Sequence, residues 1–106
     1  MNELSWSKSE KVVARRAFDT AYKRECDTIL AKLKEMIAKV TEPKHIWEIH
    51  NYLTEQRENI DGKYVYRYSI LTLIFARLLS EGWLKKSDLE ELGEDKIEEI
   101  EKLASF

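Results

Sequence analysis

The chain has 106 residues, 18 Lys and Arg against 20 Asp and Glu, and a formal charge of −2 with both signs interspersed. That balance gives no support to a general nucleic-acid binder or a polybasic membrane binder. A hydrophobic share of 43% is too high for a disordered chain, and only three Gly and one Pro interrupt a composition rich in helix formers. One all-α domain over residues 1–106 is the expectation.

Ser7 and Glu10 have capping-box spacing, and from there to Val40 there is neither Gly nor Pro, which predicts one long first helix. Tyr22, Cys26, Ile29, Leu33, Met36 and Val40 recur along it at alternating steps of four and three, a seam that asks for another helix. Such a helix would be roughly 50 Å long. A compact domain of this size is only about 35 Å across, so the helix should overhang its domain, with a second copy of the chain covering it as a homodimer. Thr41 or Glu42 can cap a second helix that has Pro43 in its first turn and runs to about Ile60. Asp61 then reads as the cap of a third helix from about Lys63 to Glu81, stopped by Gly82. Being apolar on most sides, this helix should be packed by the first two helices and by the tail. In the tail, Ser87 and Glu90 repeat the capping-box spacing, Leu89, Leu92, Ile97, Ile100 and Leu103 form an apolar face, and Gly93 is a point of division.

The stretch from Met1 to Ser9 lacks a basic region followed by an apolar one, which predicts no leader and a cytoplasmic location. The apolar run Ile70–Leu79 is about half of the ~20 residues that span a bilayer and belongs in a core. Cys26 is the one cysteine, so no internal disulfide forms, and it reads as a small buried hydrophobe.

No Gly-rich phosphate loop, paired cysteines or HExxH motif is present. Glu42 and His45 match one half of a di-iron Glu-x-x-His pattern, but the other ligands are missing and Pro43 puts the pair at a helix start. His45 and His50 lie about 140° apart around a helix and do not converge on one metal. Familiar catalytic motifs are thus absent, and an enzyme is unsupported by the residues. The stretch IWEIHNYLTEQRENIDGKY, residues 46–64, is more informative. Ile46, Ile49, Leu53 and Ile60 form an apolar stripe, read as a core face. Trp47, His50, Asn51, Thr54, Arg57 and Asp61 gather on a neighbouring stripe. Periodicity leaves open whether the second stripe is a working surface or a solvated helix face. Tyr64, Tyr66 and Tyr68 cannot share one face of a helix, which places at least one at an interface or in solvent and at least one in the core.

Together these residues resemble the fluorescence recovery protein family of cyanobacteria. The likeness is carried by Trp47 and His50 as W-x-x-H, by Arg57, by IDGKY from Ile60 to Tyr64 and by Arg67. It extends to AYKRE at Ala21–Glu25, to FAxLLxEG at Phe75–Gly82, and to Trp6, Asp95 and Lys96. The resemblance implies an all-helical homodimer that is not an enzyme. It would bind the photoactivated red form of the orange carotenoid protein, mainly at that protein's C-terminal domain, and hasten its return to the orange form. Quenching at the phycobilisome would then end.

The resemblance implies a dimer and partner surface made of Trp47, His50, Asn51, Arg57, Asp61, Lys63, Tyr64 and Arg67, with Leu73 and Glu99 as candidate head contacts. Three positions depart from the family pattern. Asn51 stands where an Asp is usual, Leu73 where an aromatic occurs, and Glu99 where a basic residue occurs. The alternative is a non-cyanobacterial or reconstructed member of the same fold with a different native partner.

Overall fold

The computed structural model describes residues 5–105. Met1 to Leu4, which open the stretch read as lacking a leader, and Phe106 lie outside them. The described chain is all-helical, with α1 at Lys8–Ala38, α2 at Pro43–Lys63, α3 at Leu71–Glu81, a short 3-10 turn at Lys86–Asp88, and α4 at Glu94–Ala104. No helix of the described chain is long and apolar enough to cross a membrane.

The capping box at the start of α1 forms as expected: Glu10 N–H donates to Ser7 Oγ at 3.1 Å, and Ser7 N–H donates to Glu10 Oε1 at 3.0 Å. Helix α1 then runs unbroken for 31 residues. Its two halves differ sharply. Val13, Ala14, Ala17, Phe18, Ala21 and Glu25 are buried, whereas no residue from 26 to 59 is buried. The first half of α1 belongs to a head, and the second half pairs with α2 as an antiparallel hairpin that projects from it. The dimensions follow, with extents of 55 × 25 × 25 Å and a radius of gyration of 16.9 Å, against about 13 Å for a compact chain of this size.

In the head, the three alanines of α1 add little volume, and the space beside them is filled from elsewhere. Leu71, Phe75 and Leu78 of α3, Leu84, Leu89 and Leu92 of the following loop, and Ile100 of α4 complete the cluster. Burial of each large side chain contributes about 1.5–3 kcal/mol. Helices α3 and α4 pack along their lengths, while α2 makes no extended contact with α3. The expectation that α2 would help to cover α3 is therefore corrected. Gly82 closes α3 at φ 86°, the left-handed conformation that glycine adopts without strain.

The sequence misplaces the junction between α2 and α3. Asp61 is not the cap of a third helix, because α2 continues through Asp61 and Gly62 to Lys63, and α3 starts only at Leu71. Between them, residues 64–67 run beside α1 as a non-helical segment folded by tight bonds from Val65 N–H to Lys63 O and from Arg67 N–H to Val65 O, at 3.1 and 3.2 Å, and Tyr68 opens a turn into α3. The residues YVYRY are β-branched or aromatic at four of five positions, which disfavours helix. A period of two puts Tyr64, Tyr66 and Tyr68 on one face, which a helix cannot do. They continue an aromatic ladder along α1: Trp6–Tyr68 at 5.8 Å, Tyr68–Tyr66 at 5.4 Å, Tyr66–Phe18 at 5.0 Å, Phe18–Tyr64 at 5.4 Å and Tyr64–Tyr22 at 5.2 Å. Arg15 lies over Tyr66 and Lys11 over Tyr68, at 4.8 and 5.0 Å.

The tail also differs from expectation. Ser87 and Glu90 do not cap a helix. Asp88 instead accepts from Lys85 N–H at 2.8 Å to close the 3-10 turn, and α4 begins after Gly93. Gly93 N–H donates to Glu10 Oε2 at 2.9 Å, and a Cβ at this position would stand 2.8 Å from that oxygen. Lys96, with 2% of its side chain exposed, bridges Glu10 and Asp95 at 3.1 Å each and lies over the Trp6 ring at 5.0 Å. Burial pulls the Lys96 ammonium down, and the two carboxylates more than reverse this.

The Ser7 N–H, with help from Gly93 N–H and Lys96, pulls the Glu10 carboxyl from 4.5 down to about 2 against the opposing effect of burial. Glu10 therefore holds its proton more weakly folded than unfolded. Its contribution is complete above pH 4.5 and is lost as pH falls toward about 2. Chemical denaturation at stepped pH should show stability declining across that window, and Glu10→Gln should flatten this part of the decline.

Candidate functional site

The projecting hairpin turns at Val40–Glu42. Thr41 N–H and Glu42 N–H both donate to His45 Nδ1, at 3.0 and 3.3 Å, so His45 ties down the turn ahead of Pro43. Glu42 and His45 thus act together at a helix start. Among the described residues no three His, Cys, Asp or Glu side chains are grouped to hold a metal.

Helix α2 turns a different face to α1 than the sequence suggests. His45, Ile49, Tyr52, Gln56, Asn59, Ile60 and Lys63, at helical spacing, are the positions drawn inward. Of the stripe read as a core face, Ile49 and Ile60 belong to it. Ile46 and Leu53 do not, being 54% and 37% exposed. Of the predicted seam, Cys26, Ile29, Leu33 and Met36 on α1 and Val40 just beyond its end are half-buried, whereas Tyr22 is 44% exposed; Leu30 and Ile37, off the seam, are 47% and 55% exposed. Leu30 and Ile37 are seven residues apart, as are Ile46 and Leu53. Together with Trp47, 64% exposed, they leave the hairpin with an apolar surface that no described residue covers.

All six residues of the polar stripe, Trp47, His50, Asn51, Thr54, Arg57 and Asp61, are exposed. They do not form one cluster. Trp47 and His50 meet edge to face at 6.4 Å. One or more turns further on, Arg57 Nε donates to both oxygens of Asp61, at 3.1 and 2.9 Å, and that carboxylate holds the guanidinium pKa up. An exposed pair of this kind adds little stability. Arg57 and Asp61 edge an open groove of about 450 Å³ whose opposite side carries Arg15 and Asp19, with Phe18, Tyr22 and Tyr64 among its lining.

Lys63 and Tyr64, expected on the same surface, point inward. Lys63 Nζ, on a side chain 1% exposed, lies 2.7 Å from Glu25 Oε2 and 2.7 Å from Glu81 Oε1. Tyr64 Oη donates to Glu25 Oε1 at 2.8 Å, and Asn59 Nδ2 donates to Oε2 at 3.2 Å. Burial, then the bond to Glu25, pushes the Tyr64 hydroxyl pKa well up. Glu81 also accepts from Arg77 Nε at 2.8 Å and from Trp83 Nε1 at 3.0 Å. Burial raises the Glu81 carboxyl, and Lys63 and Arg77 outweigh this, leaving it lowered. Next to Glu25, Arg24 donates to Trp83 O at 3.0 Å and to Asp88 at 2.7 Å. A lysine in a run of polar residues reads as solvated, and only the spacing of Glu25 and Glu81 on other helices reveals otherwise.

Arg67 lies exposed in the non-helical segment, and Leu73 is 55% exposed on the outer face of α3. Glu99 is half-buried on α4. The hairpin thus presents an exposed surface, and the head an exposed leucine.

The photoprotection regulator fluorescence recovery protein family model matches residues 6–104. The chain belongs to that family. The fluorescence recovery protein of Synechocystis sp. is 37% identical over 102 residues, which are 96% of this chain and 94% of that protein. The solved structure of the Fremyella diplosiphon fluorescence recovery protein superposes with a TM-score of 0.90 at 39% identity, over 96% of this chain and all of that one. The Synechocystis structure does so with the same TM-score at 36% identity. The resemblance drawn from AYKRE, W-x-x-H, IDGKY and FAxLLxEG is thereby established for the whole fold, and the family is one of photoprotection regulators.

Because Arg57 contributes little to the fold, Arg57→Ala should leave the thermal midpoint unchanged while weakening self-association or partner binding. Sedimentation and partner titration of the variant check this, and no change in either would remove Arg57 from the surface.

Proposed function

We propose that the chain is a non-enzymatic regulator that binds the photoactivated orange carotenoid protein and accelerates its return to the orange resting form, ending quenching at the phycobilisome. The reading is supported above all by family membership across nearly the whole chain, residues 6–104. A binder hastens a conformational return only if it holds the arrangement on the way back more tightly than it holds the activated state. A pre-shaped surface does this without chemistry. The hairpin surface of Trp47, His50, Asn51 and Arg57, extended by Arg67, and the head contacts Leu73 and Glu99 are the residues we assign to it. The light-absorbing group is the partner's, so the chain itself uses no cofactor.

We further propose that the chain acts as a homodimer in the cytoplasm. The uncovered apolar positions Leu30, Ile37, Ile46 and Leu53 support this, since a second hairpin laid against them would bury all four. Leu33 turns toward α2, so the dimer is better tested at the outer positions. Leu30→Asp should give a helical monomer in sedimentation equilibrium, and a full-strength dimer from this variant would place the interface elsewhere.

One observation favours a second reading, a family member whose native partner is a different protein. Asn51 is an amide where a carboxylate is usual, and Glu99 puts a negative charge where the family can have a positive one. A partner surface shaped for the usual signs would meet this chain with weaker attraction. Dark recovery of photoactivated orange carotenoid protein, followed by absorbance with and without the chain, separates the two. The first reading predicts a faster return to orange; an unchanged rate with a folded dimer would select the second.

A further inference from the structure

Three of the motifs that carry the family resemblance meet at one place away from the exposed surface. AYKRE supplies Arg24 and Glu25, IDGKY supplies Lys63 and Tyr64, and FAxLLxEG supplies Glu81 and Gly82. Lys63 ends α2, Glu25 sits in α1 at the last buried position before the projecting hairpin, and Glu81 ends α3. Helix α1 runs unbroken from the head into the hairpin, but α2 and α3 make no extended contact, and what ties the end of α2 to α3 at this point is the Lys63 ammonium, 2.7 Å from a carboxylate on each side. Asn59 braces the same link, accepting from Arg77 at 3.5 Å while donating to Glu25.

We infer that Lys63, with Glu25 and Glu81, is a positioning joint that fixes the end of α2 against the continuous α1 and against α3, holding the Trp47–His50–Arg57 surface of α2 and Leu73 of α3 in one relation for a partner that touches both. The inference rests on the two-surface reading proposed above. Glu25 fastens Lys63 to the hairpin's own α1, and Glu81 fastens it to α3. Loss of Glu81 therefore loosens the end of α2 from α3, leaving only the long Arg77–Asn59 contact between them, while the α1–α2 pair stays closed. Glu81 is 34% exposed in its side chain, so its replacement does not strand a group in the core. The uncovered apolar positions lie beyond the joint, so its loss should leave self-association unchanged.

The test uses spin labels at Glu48→Cys and Glu98→Cys in a Cys26→Ser background, diluted into excess unlabelled protein so that only distances within one chain contribute. The parent should give one narrow distance distribution. Glu81→Gln should broaden it with helicity and sedimentation unchanged, and should slow the accelerated recovery of the orange carotenoid protein by about two- to thirtyfold. Lys63→Met should broaden the distribution further, and Lys63→Arg, which keeps a cation between the carboxylates, should restore it. A narrow distribution in folded Glu81→Gln and Lys63→Met would overturn the joint. A broadened distribution with full acceleration would overturn its positioning role. If the parent protein does not accelerate recovery at all, the partner assignment fails, and the distance distributions still decide whether the joint exists.

Discussion

An ammonium with 1% of its side chain exposed is stable only beside a partner, and Lys63 has two, Glu25 and Glu81, at 2.7 Å each. Much else in the chain depends on this arrangement. Taking a partner from a buried ion pair costs about 3–5 kcal/mol, because the charge left behind has been stripped of water and given nothing in return. Each end of the triad is also hydrogen-bonded from elsewhere: Tyr64 and Asn59 saturate Glu25, and Arg77 and Trp83 serve Glu81. The buried charges are thus paired one for one, with Arg77 balancing the second carboxylate. Helices α2 and α3 both end at this point, against the unbroken α1.

A second charge cluster does the corresponding work at the far end of the head. There Lys96 bridges Glu10 and Asp95, and Glu10 at the same time caps α1 and accepts from Gly93 at the start of α4. Between the two clusters runs the aromatic ladder from Trp6 to Tyr22, with edges meeting faces and cations lying over Tyr66 and Tyr68. The first half of α1 is therefore fixed along its length by polar contacts at each end and rings between them. Its second half carries no such fixtures and is held by α2 alone. A rigid head bearing a projecting hairpin is the consequence.

Such a division suits a protein that acts by being a surface. The hairpin leaves apolar side chains open to solvent, which a self-sufficient fold would have covered, and it carries Trp47, His50 and Arg57 beside them. Asn51 and Glu99 alter the charge of the proposed surface without touching either buried cluster, so they change what the surface attracts and leave its geometry intact. On the proposed reading, recognition and architecture are encoded by separate residues, although the family motifs contain both.

The local signals in the sequence were sufficient for several elements. The Ser7–Glu10 box, the Pro43 start, the Gly82 stop and the break at Gly93 each act within one turn of backbone, so their effects are legible from neighbouring residues alone. The absence of Gly and Pro from Ser7 to Val40 likewise determined a helix too long for its own domain, and the motif set determined the family. The end of α2 and the non-helical YVYRY segment were hidden, because Asp61–Gly62 looks like punctuation, and the alternation of rings only has meaning once α1 lies alongside to receive them. The inward face of α2 was hidden for a related reason: Ile46 and Leu53 are as apolar as Ile49, and only the position of the second helix selects among them. Lys63 is the extreme case. Nothing within its own helix distinguishes it from a solvated lysine, and its burial depends on two carboxylates 38 and 18 residues away. Tertiary structure decided what the sequence could not, because the energy of a charge or an apolar side chain depends on which distant groups replace its water.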